Sequence, residues 1–100
     1  MSNPWYLYVL LCSDDTFYTG ITTDVIRRLS EHSDSKKGAK YTRSRRPVEL
    51  VYWIDFSNRS TAQKAEYKFK KLTHKQKERV INENWGLGSA ISLRQKDSDA

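Results

Sequence analysis

Residues 5–12 form an unbroken apolar run, Trp-Tyr-Leu-Tyr-Val-Leu-Leu-Cys, of strand length. Ser13, Asp14, Asp15 and Thr16 follow with turn chemistry, because Asp and Ser side chains can satisfy nearby backbone groups. Residues 17–21 then read as the returning strand of a hairpin. Thr22, Thr23 and Asp24 offer N-caps for a helix running to about residue 33, with Val25, Ile26 and Leu29 facing the core. Residues 34–46 break the pattern and read as a loop closed by Pro47. In residues 48–56, Val48, Leu50, Tyr52, Ile54 and Phe56 alternate with other positions, so this segment predicts a third strand, its middle covered on both faces. Ser60 and Gln63 fit a capping box, and Ala62, Ala65, Phe69 and Leu72 follow at helical spacing. Thr73 and Gln76 repeat the box ahead of a helix to about residue 84 that buries Val80 and Ile81. Trp85-Gly86-Leu87-Gly88 would end it. The order β-β-α-β-α-α predicts one α+β domain over residues 1–84, with a small sheet and a partly disordered polar tail over 85–100.

Charge adds a partner. Eighteen Lys and Arg against twelve Asp and Glu give a net +6. All eighteen basic residues follow Ile26, where the net charge reaches +9, while the first 26 residues carry −3. Such segregation points to a polyanion, with nucleic acid ahead of an anionic membrane surface. Six basic residues, Lys36, Lys37, Lys40, Arg43, Arg45 and Arg46, lie between positions 36 and 46 without an acid. Lys64, Lys68, Lys71, Lys75 and Arg79 extend the charge along the later helices. Tyr41 and Trp53 are candidates for stacking on bases. No apolar stretch approaches the ~20 residues of a membrane span. The single Cys12 excludes an internal disulfide, and a reduced cytoplasmic setting is expected.

Five residue types suit phosphodiester chemistry. If Ser13, Asp14 and Asp15 make a three-residue loop, Tyr8 pairs near Gly20, Tyr18 pairs near Leu10, and both phenols share one face. A two-residue turn would put them on opposite faces. Gly20 in a strand marks either a bulge or a close approach, the latter suited to a phosphate. Arg28 and His32 stand one helical turn apart, which suits a phosphate clamp beside a proton carrier or, equally, a snorkelling surface residue beside a core histidine. Glu66 sits about 80° from the centre of the apolar stripe on its helix, so it is either paired with Lys70 or a divalent-metal ligand.

Tyr6-Leu7-Tyr8, followed ten residues later by Tyr18-Thr19-Gly20, resembles the paired signature of the GIY-YIG nuclease superfamily. Arg28, eight residues after Gly20, His32 one turn on, and Glu66 within Ala62-Gln63-Lys64-Ala65-Glu66 match its further elements in order. Gly38-Ala39-Lys40-Tyr41-Thr42, Arg45-Arg46-Pro47 and Leu72-Thr73 are most similar to the small stand-alone bacterial, YhbQ-like members. Tyr6, Leu7 and Thr19 depart from the motif letters, standing for its Gly, Ile and Ile. The resemblance implies a three-stranded antiparallel sheet flanked by helices. It also implies an endonuclease hydrolysing phosphodiester bonds in DNA, in repair or recombination, with DNA favoured over RNA. On that reading Tyr8 assists deprotonation of water, Tyr18 orients water or phosphate, Arg28 neutralises phosphate charge, His32 moves protons or binds phosphate, and Glu66 holds one Mg²⁺ or Mn²⁺. The length leaves no room for the second DNA-binding domain that such nucleases often carry. The competing expectations are a nucleic-acid-binding module without catalysis and a protein recruited to a larger assembly by a protein partner. A monomer is the default state.

Overall fold

The structure, a computed structural model, describes residues 4–83. Three antiparallel strands, β1 (Trp5–Leu11), β2 (Phe17–Thr22) and β3 (Glu49–Phe56), stand in the order β2-β1-β3. Helices α1 (Val25–Asp34) and α2 (Lys40–Arg43) serve one face of the sheet, and α3 (Arg59–Lys70) and α4 (His74–Glu83) cover the other. The expected α+β class with a three-stranded sheet is the one observed. The anticipated helix end at Trp85 and the tail over 85–100 lie outside the described residues.

The hairpin sets everything that follows. Cys12 N–H donates to the Thr16 carbonyl at 2.9 Å, which leaves a loop of Ser13, Asp14 and Asp15. Asp15 has φ +66°, a left-handed conformation that Asp tolerates better than most residues. Asp14 accepts from both the backbone N–H and the hydroxyl of Thr16, tying the turn locally. The odd loop fixes Tyr8 opposite Gly20 and Leu10 opposite Tyr18, with no bulge between β1 and β2. Directly paired residues share a face, so both phenols point toward α1.

β3 departs from the simple alternation. A bulge shifts its register against β1, so that Val9 pairs with Tyr52 while Leu10 pairs with Leu50. The extra residue, Val51, splits the apolar set. Leu50 and Val48 join Tyr8 and Leu10 on the α1 face, whereas Tyr52, Ile54 and Phe56 join Leu7 and Val9 on the α3 face. Both faces of the strand are covered, as expected, but not by one alternating series.

On the α3 face, Ala62, Ala65, Phe69 and Leu72 supply the expected stripe, and Phe69 stacks on Tyr52 at 6.4 Å. The N-cap of α3 is Asn58 rather than Ser60, its side chain accepting from the Thr61 N–H at 2.9 Å. The second capping box forms as anticipated. Thr73 N–H donates to Gln76 Oε1, and Gln76 N–H donates to Thr73 Oγ1. Ile81 and Val80 pack down from α4. Among the described residues no helix is long and apolar enough to cross a membrane.

α1 corrects one expectation. Asp24 caps it, accepting from the Arg27 N–H at 3.0 Å, but Ile26 is 74% exposed. The inward stripe runs through the half-buried Val25 and Leu29 and the fully buried His32, which lie within ~60° of one another on a helical wheel, whereas Ile26 lies ~100° from Val25. Nor is 34–46 wholly a loop, since α2 interrupts it and buries Thr42 completely.

Thr19 pairs with Val9 and turns a buried hydroxyl toward the α3 side without a hydrogen-bond partner among the described residues. Replacing it by valine keeps the branched shape and removes an unsatisfied group. Thr19→Val should raise the unfolding free energy by about 1 kcal/mol in urea denaturation. A loss of stability would mean that the hydroxyl has a partner.

Candidate active site

The α1-facing side of the hairpin gathers four of the five residues singled out for chemistry. The Tyr8 and Tyr18 ring centres lie 6.4 Å apart, and His32 lies 5.7 Å from the first and 5.0 Å from the second. Gly20 makes this cluster possible. A Cβ there would stand 2.6 Å from the Tyr8 hydroxyl oxygen and 2.8 Å from its Cζ, so the Tyr8 ring lies across a strand that has no side chain at that point. The close approach is made by a phenol of the protein itself.

His32 is fully buried and bonded through both ring nitrogens. Nε2 lies 2.8 Å from the Tyr8 hydroxyl, and Nδ1 lies 2.7 Å from Thr42 Oγ1. Thr42 has one hydroxyl proton, and it goes to the Ala39 carbonyl at 2.9 Å. With that proton so placed, Thr42 accepts from His32, the ring proton sits on Nδ1, and Nε2 accepts from the Tyr8 O–H. The Ala39 N–H approaches Nδ1 at 3.4 Å and would favour the other tautomer. That contact is long, and the assignment to Nδ1 rests on the shorter bonds of the Thr42 hydroxyl, although the Ala39 carbonyl also accepts the backbone N–H groups of Thr42 and Arg43. The result is a directed chain from Tyr8 through His32 and Thr42 to Ala39.

Sequence reasoning did not single out Thr42 for chemistry. Its neighbours suggested a basic loop, and a threonine amid lysines carries no signal until α2 turns it inward. Gly38 helps to seat this segment. A Cβ on it would come within 2.6 Å of the Glu31 carbonyl oxygen and 2.8 Å of the His32 Cα. Only a bare backbone lets the chain cross α1 there.

Arg28 lies beside this chain, its Nη1 donating to Glu31 Oε1 at 2.8 Å and to the Lys37 carbonyl at 2.9 Å. Burial pushes the Tyr8 phenol up to about 12, opposed by Arg28 and reinforced by the nearby Tyr18 and by Glu66. Burial also holds the His32 imidazole down at about 4, with Arg28 and Arg46 acting in the same sense and Glu31 against them. Both groups are therefore neutral around pH 7.

Glu66 stands on α3, the helix that covers the opposite face of the sheet; it bonds to none of the other four among the described residues, and its charge adds the least of the influences on the Tyr8 phenol. Its carboxylate pairs with Lys70 Nζ at 3.2 Å, and the side chain is 21% exposed. No group of three His, Cys, Asp or Glu side chains stands ready to hold an ion among the described residues. A lone carboxylate on accessible surface fits a hard cation that takes its remaining ligands from water and a substrate phosphate.

The basic segment divides into two kinds of residue. Arg46 donates from Nε to the His32 carbonyl at 2.6 Å and from Nη2 to the Glu31 and Ser35 carbonyls, closing the C-terminus of α1. Arg45 binds Asp14 at 2.9 Å and lies over the Tyr41 ring at 3.8 Å. Tyr41 also lies near Tyr18, ring centres 5.9 Å apart, which extends the aromatic row outward from His32. Lys36, Lys37, Lys40 and Arg43 stay exposed, as do Lys64, Lys68 and Lys71.

Neutral burial of His32 makes stability depend on pH. Its folded value lies below the 6.5 of the free side chain, so between these values the unfolded chain binds more protons. The contribution is complete above pH 6.5 and is lost as pH falls toward 4. Urea titrations should show the protein losing about 2 kcal/mol over that window, after allowance for solvent screening of the charged neighbours. His32→Gln should lack this component, and parallel pH profiles for the two proteins would contradict the assignment.

Residues 4–79 match the family model described as the GIY-YIG catalytic domain. The chain is 51% identical over 87 residues to the UPF0213 protein DP2720 of Desulfotalea psychrophila, covering 87% of this chain and 79% of that one. It is 45% identical over 92 residues to the UPF0213 protein YhbQ of Escherichia coli, covering 92% and 91%. Two solution NMR structures are similar to it. EF2693 of E. faecalis has a TM-score of 0.57 at 51% identity, covering 81% of this chain and 85% of that one. The UPF0213 protein BH0048 of Bacillus halodurans has a TM-score of 0.55 at 43% identity, covering 83% and 87%. With the paired tyrosines, Gly20, Arg28, His32 and Glu66 all inside the matched span, this chain belongs to the GIY-YIG family, among its UPF0213, YhbQ-like members.

Proposed function

We propose that the protein is an endonuclease that hydrolyses phosphodiester bonds in DNA. The observation that supports this best is the hydrogen bond from the Tyr8 hydroxyl to a neutral, buried His32 beside Arg28. A phenol alone is a poor base at neutral pH. With burial pushing Tyr8 up and His32 down, direct ionisation of the resting pair is strongly disfavoured. A relay avoids the free phenolate. The Tyr8 oxygen takes a proton from the attacking water while its own proton passes to His32 Nε2.

Substrate itself would make this transfer easier. Arg28 is one of the charges that hold His32 down. A phosphate bound at Arg28 brings compensating negative charge, which raises the basicity of His32 when the proton has to move. Arg28 also neutralises charge growing on the phosphoryl oxygens. Tyr18, next to both rings, orients water or phosphate. Thr42 acts as a positioning residue by keeping Nε2 free to accept. GIY-YIG nucleases generally depend on a divalent metal. In this chain Glu66 would hold Mg²⁺ or Mn²⁺, releasing Lys70, and the ion would supply Lewis-acid stabilisation of the leaving oxygen. Lys36, Lys37, Lys40 and Arg43 contact flanking phosphates, and Arg45 holds Tyr41 in place.

A binding module without catalysis is the second reading, favoured by the present engagement of Glu66 with Lys70 and of Arg28 with Glu31. A cleavage assay on duplex, forked, flap and single-stranded DNA separates the two. With Mg²⁺ or Mn²⁺ the protein should nick at least one form. Arg28→Ala and Tyr8→Phe should each reduce the rate ~100-fold or more with folding intact, and Glu66→Ala should remove the metal response. Binding without cleavage of any form, under either ion, would overturn the hydrolytic reading.

A further inference from the structure

Beside the tyrosine cluster, on the same face of the sheet, lies an open cleft of about 270 Å³ between the start of α1 and strands β1 and β3. Its walls include Tyr6, Trp53, Leu50, Ile26, Val25 and Asp24. Trp53 is the cross-strand partner of Tyr8, and Tyr6 stands two residues before Tyr8 on one side of β1, ~7 Å along the strand. Ile26, the exposed apolar residue of α1, forms part of the rim. No lysine or arginine lines the cleft. Its one charge is negative, and that carboxylate already occupies the N-terminus of α1 through Oδ1. A phosphate is therefore the wrong occupant. Asp24 Oδ2 makes no hydrogen bond among the described residues and can only accept.

We propose that this cleft is a base-binding subsite, taking an unpaired or flipped nucleobase that presents an exocyclic amino group, from the nucleotide adjoining the phosphate held at Arg28. The inference rests on the reading of the protein as one that binds nucleic acid, but not on catalysis. Trp53 and Tyr6 provide π faces for a planar ring, and Ile26 and Leu50 provide apolar walls. Asp24 Oδ2 accepts from an amino group such as cytosine N4, and it repels the carbonyl that thymine presents at the same position. A paired base has its edge occupied and both faces stacked, so the nucleotide must leave the duplex before it can enter.

The test uses the full chain in EDTA, so that binding is read without cleavage. Short oligo(dC) and oligo(dT) are titrated while the Trp53 indole N–H is followed by NMR. Oligo(dC) should move that resonance and bind at least about fivefold more tightly than oligo(dT). Asp24→Asn supplies the sharper arm. Asn caps a helix as well as Asp does, so the fold is kept while the amide NH₂ replaces the acceptor, and the preference should reverse toward oligo(dT). An unmoved indole, while amides around Arg28 and Lys37 shift, would overturn the subsite and leave nucleic-acid binding standing. Equal affinity for the two oligomers, or a preference that Asp24→Asn does not alter, would also overturn it. No response to either oligomer at low salt would defeat both the subsite and the nucleic-acid reading.

Discussion

The hydrogen-bond chain from Tyr8 through His32 to Thr42 is the constraint around which this small domain is arranged. Three polar side chains are buried on the α1 face, and each would be costly without a partner. The chain satisfies them in series, and that requirement explains features that look unrelated along the sequence. Gly20 is bare so that the Tyr8 ring can lie across β2. Gly38 is bare so that the approach to α2 can cross α1 next to His32. The one turn of α2 delivers Thr42 and ends by handing its chain to Arg45 and Arg46, which fasten the hairpin loop and α1 respectively.

The same arrangement separates two uses of positive charge. Arg46 closes a helix, Arg45 braces a tyrosine, and neither is simply solvated. The lysines around them are exposed and available to an anion. Arg28 stands between these groups. Its ion pair with Glu31 holds it against α1, yet its field reaches both titratable rings. A charge that depresses the basicity of His32 in the free protein is well suited to control it when a phosphate arrives, because the incoming charge acts on the same ring with the opposite sign.

Much of this was legible in the sequence. The apolar run at 5–12, the turn residues after it and the Thr73/Gln76 box gave much of the strand and helix order, since each is a local pattern, whereas the box at Ser60 marked the right helix with the wrong cap, Asn58 taking that place. The shared face of Tyr8 and Tyr18 depended on the length of one loop, which the left-handed Asp15 settles. What the sequence concealed was set by tertiary contact. The bulge at Val51 reverses the phase of β3, and alternation alone does not reveal an inserted residue. Ile26 lies ~60° beyond Leu29, on the side of the stripe away from His32, so apolar counting placed it inside. Thr42 carries no mark of its role, because the partner that requires it lies ten residues away on another helix. Glu66 was legible only as a choice between an ion pair and a metal ligand, and the free protein shows the pair with Lys70.

The direction of the buried chain can be read from the ring nitrogens of His32 by ¹⁵N NMR at neutral pH. The expected result is a neutral imidazole protonated at Nδ1, with Nε2 bare and hydrogen-bonded to Tyr8. A ring protonated at Nε2, or an imidazolium at pH 7, would contradict it, for then His32 could not receive a proton from the phenol.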